Sequence, residues 1–258
     1  MFYKEVLLNN FNSHASDDAV LRIYLHSDNA KRPMMVVVPG GGYQFLASSE
    51  DEPVVFRFLS EGFNCASLHY AINKAFPSPH NDLLIALNYI NNYKSEMNIT
   101  NELYVIGFSA GGHLVGSYSY LYQELAAQIN VQAIKPSGII LAYPVISLEK
   151  DTHEGTKRVI TGDNQKLIKK LSINKHITSD YPKTYIIAGT KDTLLNFNNT
   201  QRMALALKKH GVNFQKRLLQ DIDHGFNIFS NNSSPLSKEA MKNKMWVDEA
   251  INFLKGDK

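Results

Sequence analysis

A chain of 258 residues, 44% hydrophobic and 20% charged, carries enough apolar side chain to build a core without disulfides or bound metal. Its net charge of +3 is small, and its basic pairs, Lys169-Lys170 and Lys208-Lys209, are scattered, which excludes the concentrated positive face of a nucleic-acid binder. No apolar run approaches the roughly 18 residues needed to span a bilayer, and the single cysteine, Cys65, has no partner for an internal disulfide. Met1-Phe2-Tyr3-Lys4-Glu5-Val6 lacks the basic-then-apolar layout of a secretion signal, so the expected setting is the cytoplasm.

In chain order, residues 2–8 and 20–26 read as two early strands, paired antiparallel at one edge of a sheet. Met34-Met35-Val36-Val37-Val38 is continuously apolar and runs into Pro39-Gly40-Gly41-Gly42, the pattern of a buried strand followed by a loop. Residues 52–61 suit a helix stopped by Gly62, and 64–68, which holds Cys65, suits the next strand. Leu83, Leu84, Leu87 and Ile90 fall at helical spacing and predict a helix over about 80–93. A strand over 103–108 precedes a helix over about 110–124, and 139–142 and 184–188 are two further strands. Between them, residues 147–181 read as a polar, irregular insertion with one short helix near 165–171, the natural candidate for a small lid. A helix over 198–209 ending at His210-Gly211, a last strand over 214–219 and a closing helix over 237–254 complete the chain. Strands alternating with amphipathic helices predict an α/β architecture: eight mostly parallel strands with helices on both faces, forming one domain over residues 1–258.

The strongest chemical signal is Gly107-Phe108-Ser109-Ala110-Gly111, set between an apolar strand and a helix. A sharp turn there exposes Ser109 in a strained conformation, and glycines on either side let the backbone pass close to neighbouring elements. The helix that follows aims its first amides at developing negative charge. A serine hydroxyl near neutral pH needs a base beside it. His224, in Asp221-Ile222-Asp223-His224-Gly225-Phe226 just beyond the last strand, is the candidate. Asp192, directly after the penultimate strand in Ala188-Gly189-Thr190-Lys191-Asp192, is the candidate acid that orients it. Asp221 and Asp223 are rivals by proximity, but residues adjacent to the histidine rarely aim at its ring nitrogen and are read as loop supports.

Pro39-Gly40-Gly41-Gly42-Tyr43 supplies amides that no Cβ obstructs. Gly41 and Gly42, with the amide of Ala110, are the candidate donors to an oxyanion. Tyr43 and Tyr143 are candidate pocket-lining residues, with packing as the alternative for Tyr43. His113 and Asp82 read as packing and tethering residues, and His153 in the insertion is a candidate substrate contact. No histidines and acids stand at metal-ligand spacing, so neither a metal nor a cofactor is expected.

Val38-Pro39-Gly40-Gly41-Gly42-Tyr43, Gly107-Phe108-Ser109-Ala110-Gly111-Gly112-His113, Gly189-Thr190-Lys191-Asp192 and Asp223-His224-Gly225-Phe226 together resemble the bacterial acetyl-xylan-esterase-like branch of the α/β hydrolases. The likeness extends through Tyr70, Phe76-Pro77-Ser78-Pro79, Asp82 and Tyr143-Pro144-Val145. It implies an α/β-hydrolase fold and deacylation of small esters, often acetyl groups on sugars. Pro39 stands where the hormone-sensitive-lipase-like branch carries a histidine, which favours the sugar-esterase side. The expected reaction is cofactor-free ester hydrolysis through an acyl-enzyme, with a small-molecule ester as partner; a homo-oligomer is compatible with the sequence. Two alternatives stand beside it: a prolyl-oligopeptidase-like peptidase, whose usual gating domain this chain lacks the length to encode, and an idle hydrolase fold acting as a binding module.

Overall fold

A computed structural model of the chain describes residues 1–228, 243 and 245–256. Eight strands form one sheet: β1 (Phe2–Leu7), β2 (Val20–Leu25), β3 (Arg32–Val38), β4 (Asn64–His69), β5 (Ile99–Phe108), β6 (Gly138–Ala142), β7 (Lys183–Gly189) and β8 (Phe214–Leu219). Their order across the sheet is β1-β2-β4-β3-β5-β6-β7-β8. β2 runs antiparallel to both neighbours, and every other pairing is parallel. The expected architecture, including the antiparallel edge, is the one observed.

The period of two along β3 explains the two layers. Met34, Val36 and Val38 face one buried cluster and Met35 and Val37 the other, all of them fully buried. The first cluster takes in α1 (Leu8–Phe11), α3 (Ser78–Asn92), α4 (Ser109–Ile129) and α7 (Asn198–Lys209). The second takes in α2 (Glu52–Ser60) and α8 (Trp246–Lys255). The chain leaves β3 toward α2 on one face and β5 toward α4 on the other. Because β3 and β5 are neighbours, these diverging connections open a crevice at their carboxyl ends, where this class of sheet places its ligands.

Several boundaries differ from expectation. α4 runs on to Ile129, ended by Asn130 in the left-handed region at φ 54°. α8 is described from Trp246, and residues 237–242 and 244 of the predicted closing helix lie outside the described residues. The largest correction concerns 147–181. That segment holds α5 (Glu154–Thr161), α6 (Gln165–Lys170) and a short 3₁₀ turn, Ile173–Lys175. Leu148, Ile160, Leu171 and Ile173 from it are buried in the larger cluster. Each such side chain contributes about 1.5–3 kcal/mol by leaving water, so the segment is a packed layer rather than a polar loop. Its apolar residues come singly or in pairs among polar ones, which hides the pattern in sequence. No helix among the described residues is long and apolar enough to cross a membrane.

Asp82 ties the start of α3 to the loops that follow α1 and β4. One carboxylate oxygen accepts from the Ser16 amide at 2.8 Å and the other from the Ala71 amide at 2.9 Å. Burial outweighs these bonds and pushes the carboxyl up to about 6. Asp82→Ala leaves both amides without an acceptor and is expected to destabilise the protein by about 2–3 kcal/mol, read as a lower urea midpoint at unchanged m-value.

Candidate functional site

Ser109 opens α4 with φ at +50°, a strained position for a residue with a side chain. The turn is possible because of its glycines. A Cβ on Gly107 would stand 2.4 Å from the Gly111 carbonyl oxygen, and one on Gly111 would stand 2.2 Å from that of Val38. The elbow therefore lies directly against the end of β3, with backbone meeting backbone.

The loops after β7 and β8 bring two more groups to this point. His224 Nε2 is 2.9 Å from Ser109 Oγ, and its Nδ1 is 2.7 Å from Asp192 Oδ2. The other oxygen of Asp192 accepts from the amides of Leu194 and Leu195 at 3.0 and 2.7 Å. The Asp192 side chain is 1% exposed and that of His224 11%, so water reaches the imidazole but scarcely the carboxylate. Asp223 supports the arrangement from behind, accepting from the Thr193 amide at 2.8 Å and the His224 amide at 2.7 Å. These amides, together with the Thr193 hydroxyl, hold its carboxyl below the usual range. Gly189 lets the two loops touch: a Cβ there would stand 2.1 Å from the Ile222 carbonyl oxygen.

Gly41 and Gly42 have φ of +122° and +66°, and both line the cleft beside Ser109. The Gly41 carbonyl accepts from the amides of Gln44 and Phe45, which folds the loop into a tight turn. The amides of Gly41 and Gly42 donate to nothing among the described residues. Ala110 lies in the first turn of α4, where helix amides lack intrahelical acceptors. The cleft encloses about 210 Å³. Phe45 and Leu194 stand exposed at its rim, and His153 also lines it. His153 caps α5, its Nδ1 accepting from the Thr156 amide at 3.2 Å. Among the described residues, no three of His, Cys, Asp or Glu gather where they could hold a metal ion.

Tyr43 and Tyr143 are not on the cleft surface, and here the expectation is corrected. Tyr43 takes a left-handed φ of +62° and turns its ring into the core, where it is fully buried. Its hydroxyl lies 2.8 Å from His113 Nδ1, and His113 Nε2 lies 2.9 Å from the Leu171 carbonyl. A carbonyl only accepts, so Nε2 carries the proton and Tyr43 donates to Nδ1. Burial lowers the His113 pKa to about 4, which keeps the ring neutral. This chain of bonds joins the glycine loop, α4 and the 147–181 segment. Tyr143, at φ +36° and 1% exposed, packs against His224, with the two ring centroids 4.8 Å apart.

One residue had no signal in the sequence. Glu50 is 5% exposed, yet it lines the cleft. One of its oxygens accepts from the Gly40 amide at 2.8 Å and the other from the Tyr143 hydroxyl at 2.8 Å. A charge amid the polar run Ser48-Ser49-Glu50-Asp51-Glu52 reads as exposed surface, and only the fold turns it inward.

The sequence model of the BD-FAE family matches residues 21–207. The chain belongs to the BD-FAE family. Beyond the family model, it is 30% identical over 233 residues to endo-1,4-beta-xylanase B of Butyrivibrio fibrisolvens, covering 85% of this chain and 37% of that protein. It is 25% identical over 233 residues to the acetylxylan esterase of Xylanibacter ruminicola, covering 84% of this chain and 46% of that one. The chain thus spans less than half the length of these curated relatives. Among solved structures, an acetyl ester-xyloside bifunctional hydrolase from Caldicellulosiruptor lactoaceticus superposes with a TM-score of 0.78 at 32% identity, over 91% of this chain and 89% of that one. The α/β-hydrolase fold of this BD-FAE member follows.

Gly40 is packed against the Ser109 elbow. A Cβ there would stand 2.7 Å from the Phe108 carbonyl oxygen and 2.9 Å from both Glu50 Oε2 and Ser109 Cβ. In this BD-FAE chain Gly40→Ala is expected to displace the Ser109 elbow and destabilise the protein by about 1–3 kcal/mol, read as a lower urea midpoint with the far-UV circular dichroism retained.

Proposed function

We propose that the protein is a serine carboxylic ester hydrolase that removes small acyl groups, acetyl above all, from sugars through an acyl-enzyme. The observation that carries this reading is the unbroken hydrogen-bonded line from Asp192 through His224 to Ser109, at 2.7 and 2.9 Å, ending beside amides with no acceptor of their own. A line of this kind has little structural purpose, because it holds a strained serine at the mouth of a cleft.

The chemistry runs as follows. Ser109 Oγ attacks the ester carbonyl carbon while His224 Nε2 takes its proton. The carbonyl oxygen becomes an oxyanion and accepts from the amides of Gly41, Gly42 and Ala110, each donor contributing about 3 kcal/mol. Asp192 holds the imidazole by Nδ1–H and stabilises its charged form. His224 then gives the proton to the departing alcohol, leaving acetyl on Ser109. Water, deprotonated by His224, attacks the acyl carbonyl and releases the acid and the free serine. Acetyl as the acyl group is supported by the small cleft and by two relatives, an acetylxylan esterase and an acetyl ester-xyloside hydrolase.

The purified protein is expected to hydrolyse p-nitrophenyl acetate faster than the butyrate and octanoate esters, and to release acetate from acetylated xylosides. Ser109→Ala should lower kcat by about 10⁴-fold or more, and Asp192→Asn by on the order of 10³–10⁴. Substantial turnover by the Ser109→Ala protein would rule the mechanism out.

A further inference from the structure

Glu50 is a buried carboxylate that the reaction above does not use. It sits at the end of a short 3₁₀ turn, Ser48–Glu50, between the glycine loop and α2. Both of its oxygens meet donors, the Gly40 amide and the Tyr143 hydroxyl. The Asn227 amide donates to the Tyr143 oxygen at 3.1 Å, and the tyrosine directs its own hydrogen to Glu50, so both Glu50 oxygens act as acceptors. The bonding pattern is that of an ionised carboxylate.

No lysine or arginine pairs with it among the described residues. Burial raises its pKa, and the Tyr143 hydroxyl, the Gly40 amide and His224 offset only part of that rise. The groups that face it are Tyr143 from the end of β6, Ser109 from the start of α4 and His224 from the loop after β8. The charge of Asp192 also bears on Tyr143. Its neighbour Asp51 turns away, toward Ser67 and His69. Leaving a carboxylate so buried without a full counter-charge is costly. That cost is relieved at one moment, when His224 becomes an imidazolium. An interaction stronger in the transition state than in the resting enzyme is the kind that raises kcat.

We propose that Glu50 is a positioning residue with two linked tasks. Its carboxylate pins Gly40, and with it the glycine loop, against the Ser109 elbow, and its charge, together with that of Asp192, favours protonated His224. The geometry joins the tasks: Glu50 Oε2 and Ser109 Cβ approach the same point beside Gly40, each 2.9 Å from the position of a Cβ there. The tyrosine bonded to Glu50 also accepts from Asn227, three residues past the base. This inference rests on the serine-hydrolase reading of the site.

The test uses the full chain and two readouts: kcat on p-nitrophenyl acetate, and the pH profile of Ser109 labelling by a fluorophosphonate, which needs no knowledge of the natural ester. Removing a negative charge makes the imidazolium harder to form. Glu50→Gln should therefore move the acid limb of the labelling profile to lower pH, by roughly half a unit or more. It should also lower kcat about 10- to 100-fold while KM stays within about threefold. Glu50→Asp keeps the charge but shortens the reach; its acid limb should match the wild type while kcat stays reduced, and it serves if Glu50→Gln fails to fold. A Glu50→Gln enzyme with wild-type kcat, or with lowered kcat and an unmoved acid limb, overturns the proposal, as does a shifted limb in Glu50→Asp. Normal labelling without ester hydrolysis would instead overturn the esterase reading.

Discussion

Everything at the cleft depends on one close approach, the backbone of the elbow passing against the carbonyl ends of β3. Gly111 lies so near Val38 and Pro39 that a Cβ would stand 2.2 and 2.4 Å from their oxygens. The parallel register of β3 with β5, Val38 opposite Gly107, sets this approach before any side chain is considered. Ser109 is then forced into the left-handed region, and the glycine loop after β3 lies within reach of its hydroxyl. A strained residue persists only where its surroundings over-determine it. Here the surroundings are two neighbouring strands whose helices leave on opposite faces.

Two hydrogen-bonded lines then fix the loops around that contact. On the face of the larger core, Tyr43, His113 and the Leu171 carbonyl join the glycine loop to α4 and to the packed segment beyond it. On the other side, Glu50, Tyr143 and the Asn227 amide join the same loop to the segment carrying His224. Both lines are buried and each uses a tyrosine hydroxyl. In so dry a setting an unmade bond costs more than a made one gains, so the lines impose geometry more than they add stability. The glycine loop, which has few side chains of its own, is held from both faces.

Much of this was legible in the chain. Each proposed functional group follows its own strand, so Ser109, Asp192 and His224 could be named from position and residue type. The two tyrosines could not. Tyr43 follows three glycines, a context that suggests an open loop, yet its φ of +62° sends the ring inward. Glu50 was invisible for a related reason: a carboxylate in a polar stretch has no local feature that distinguishes a surface charge from a buried one. The segment 147–181 looked irregular because its apolar residues belong to short elements whose common face exists only after packing.

The sequence by itself determined the strand and helix periods, the number of strands, the antiparallel edge and the order of the reactive residues. These follow from local patterns, from the alternation of apolar side chains and from glycines that free particular turns. The tertiary structure alone decided which polar residues are buried and what they touch. Burial depends on partners that are distant in sequence, such as Glu50 and Tyr143, whose bond joins positions 93 residues apart. A pairing of that kind leaves no periodic trace along the chain, and it arises only when the sheet brings the ends of β3, β6 and β8 to one edge.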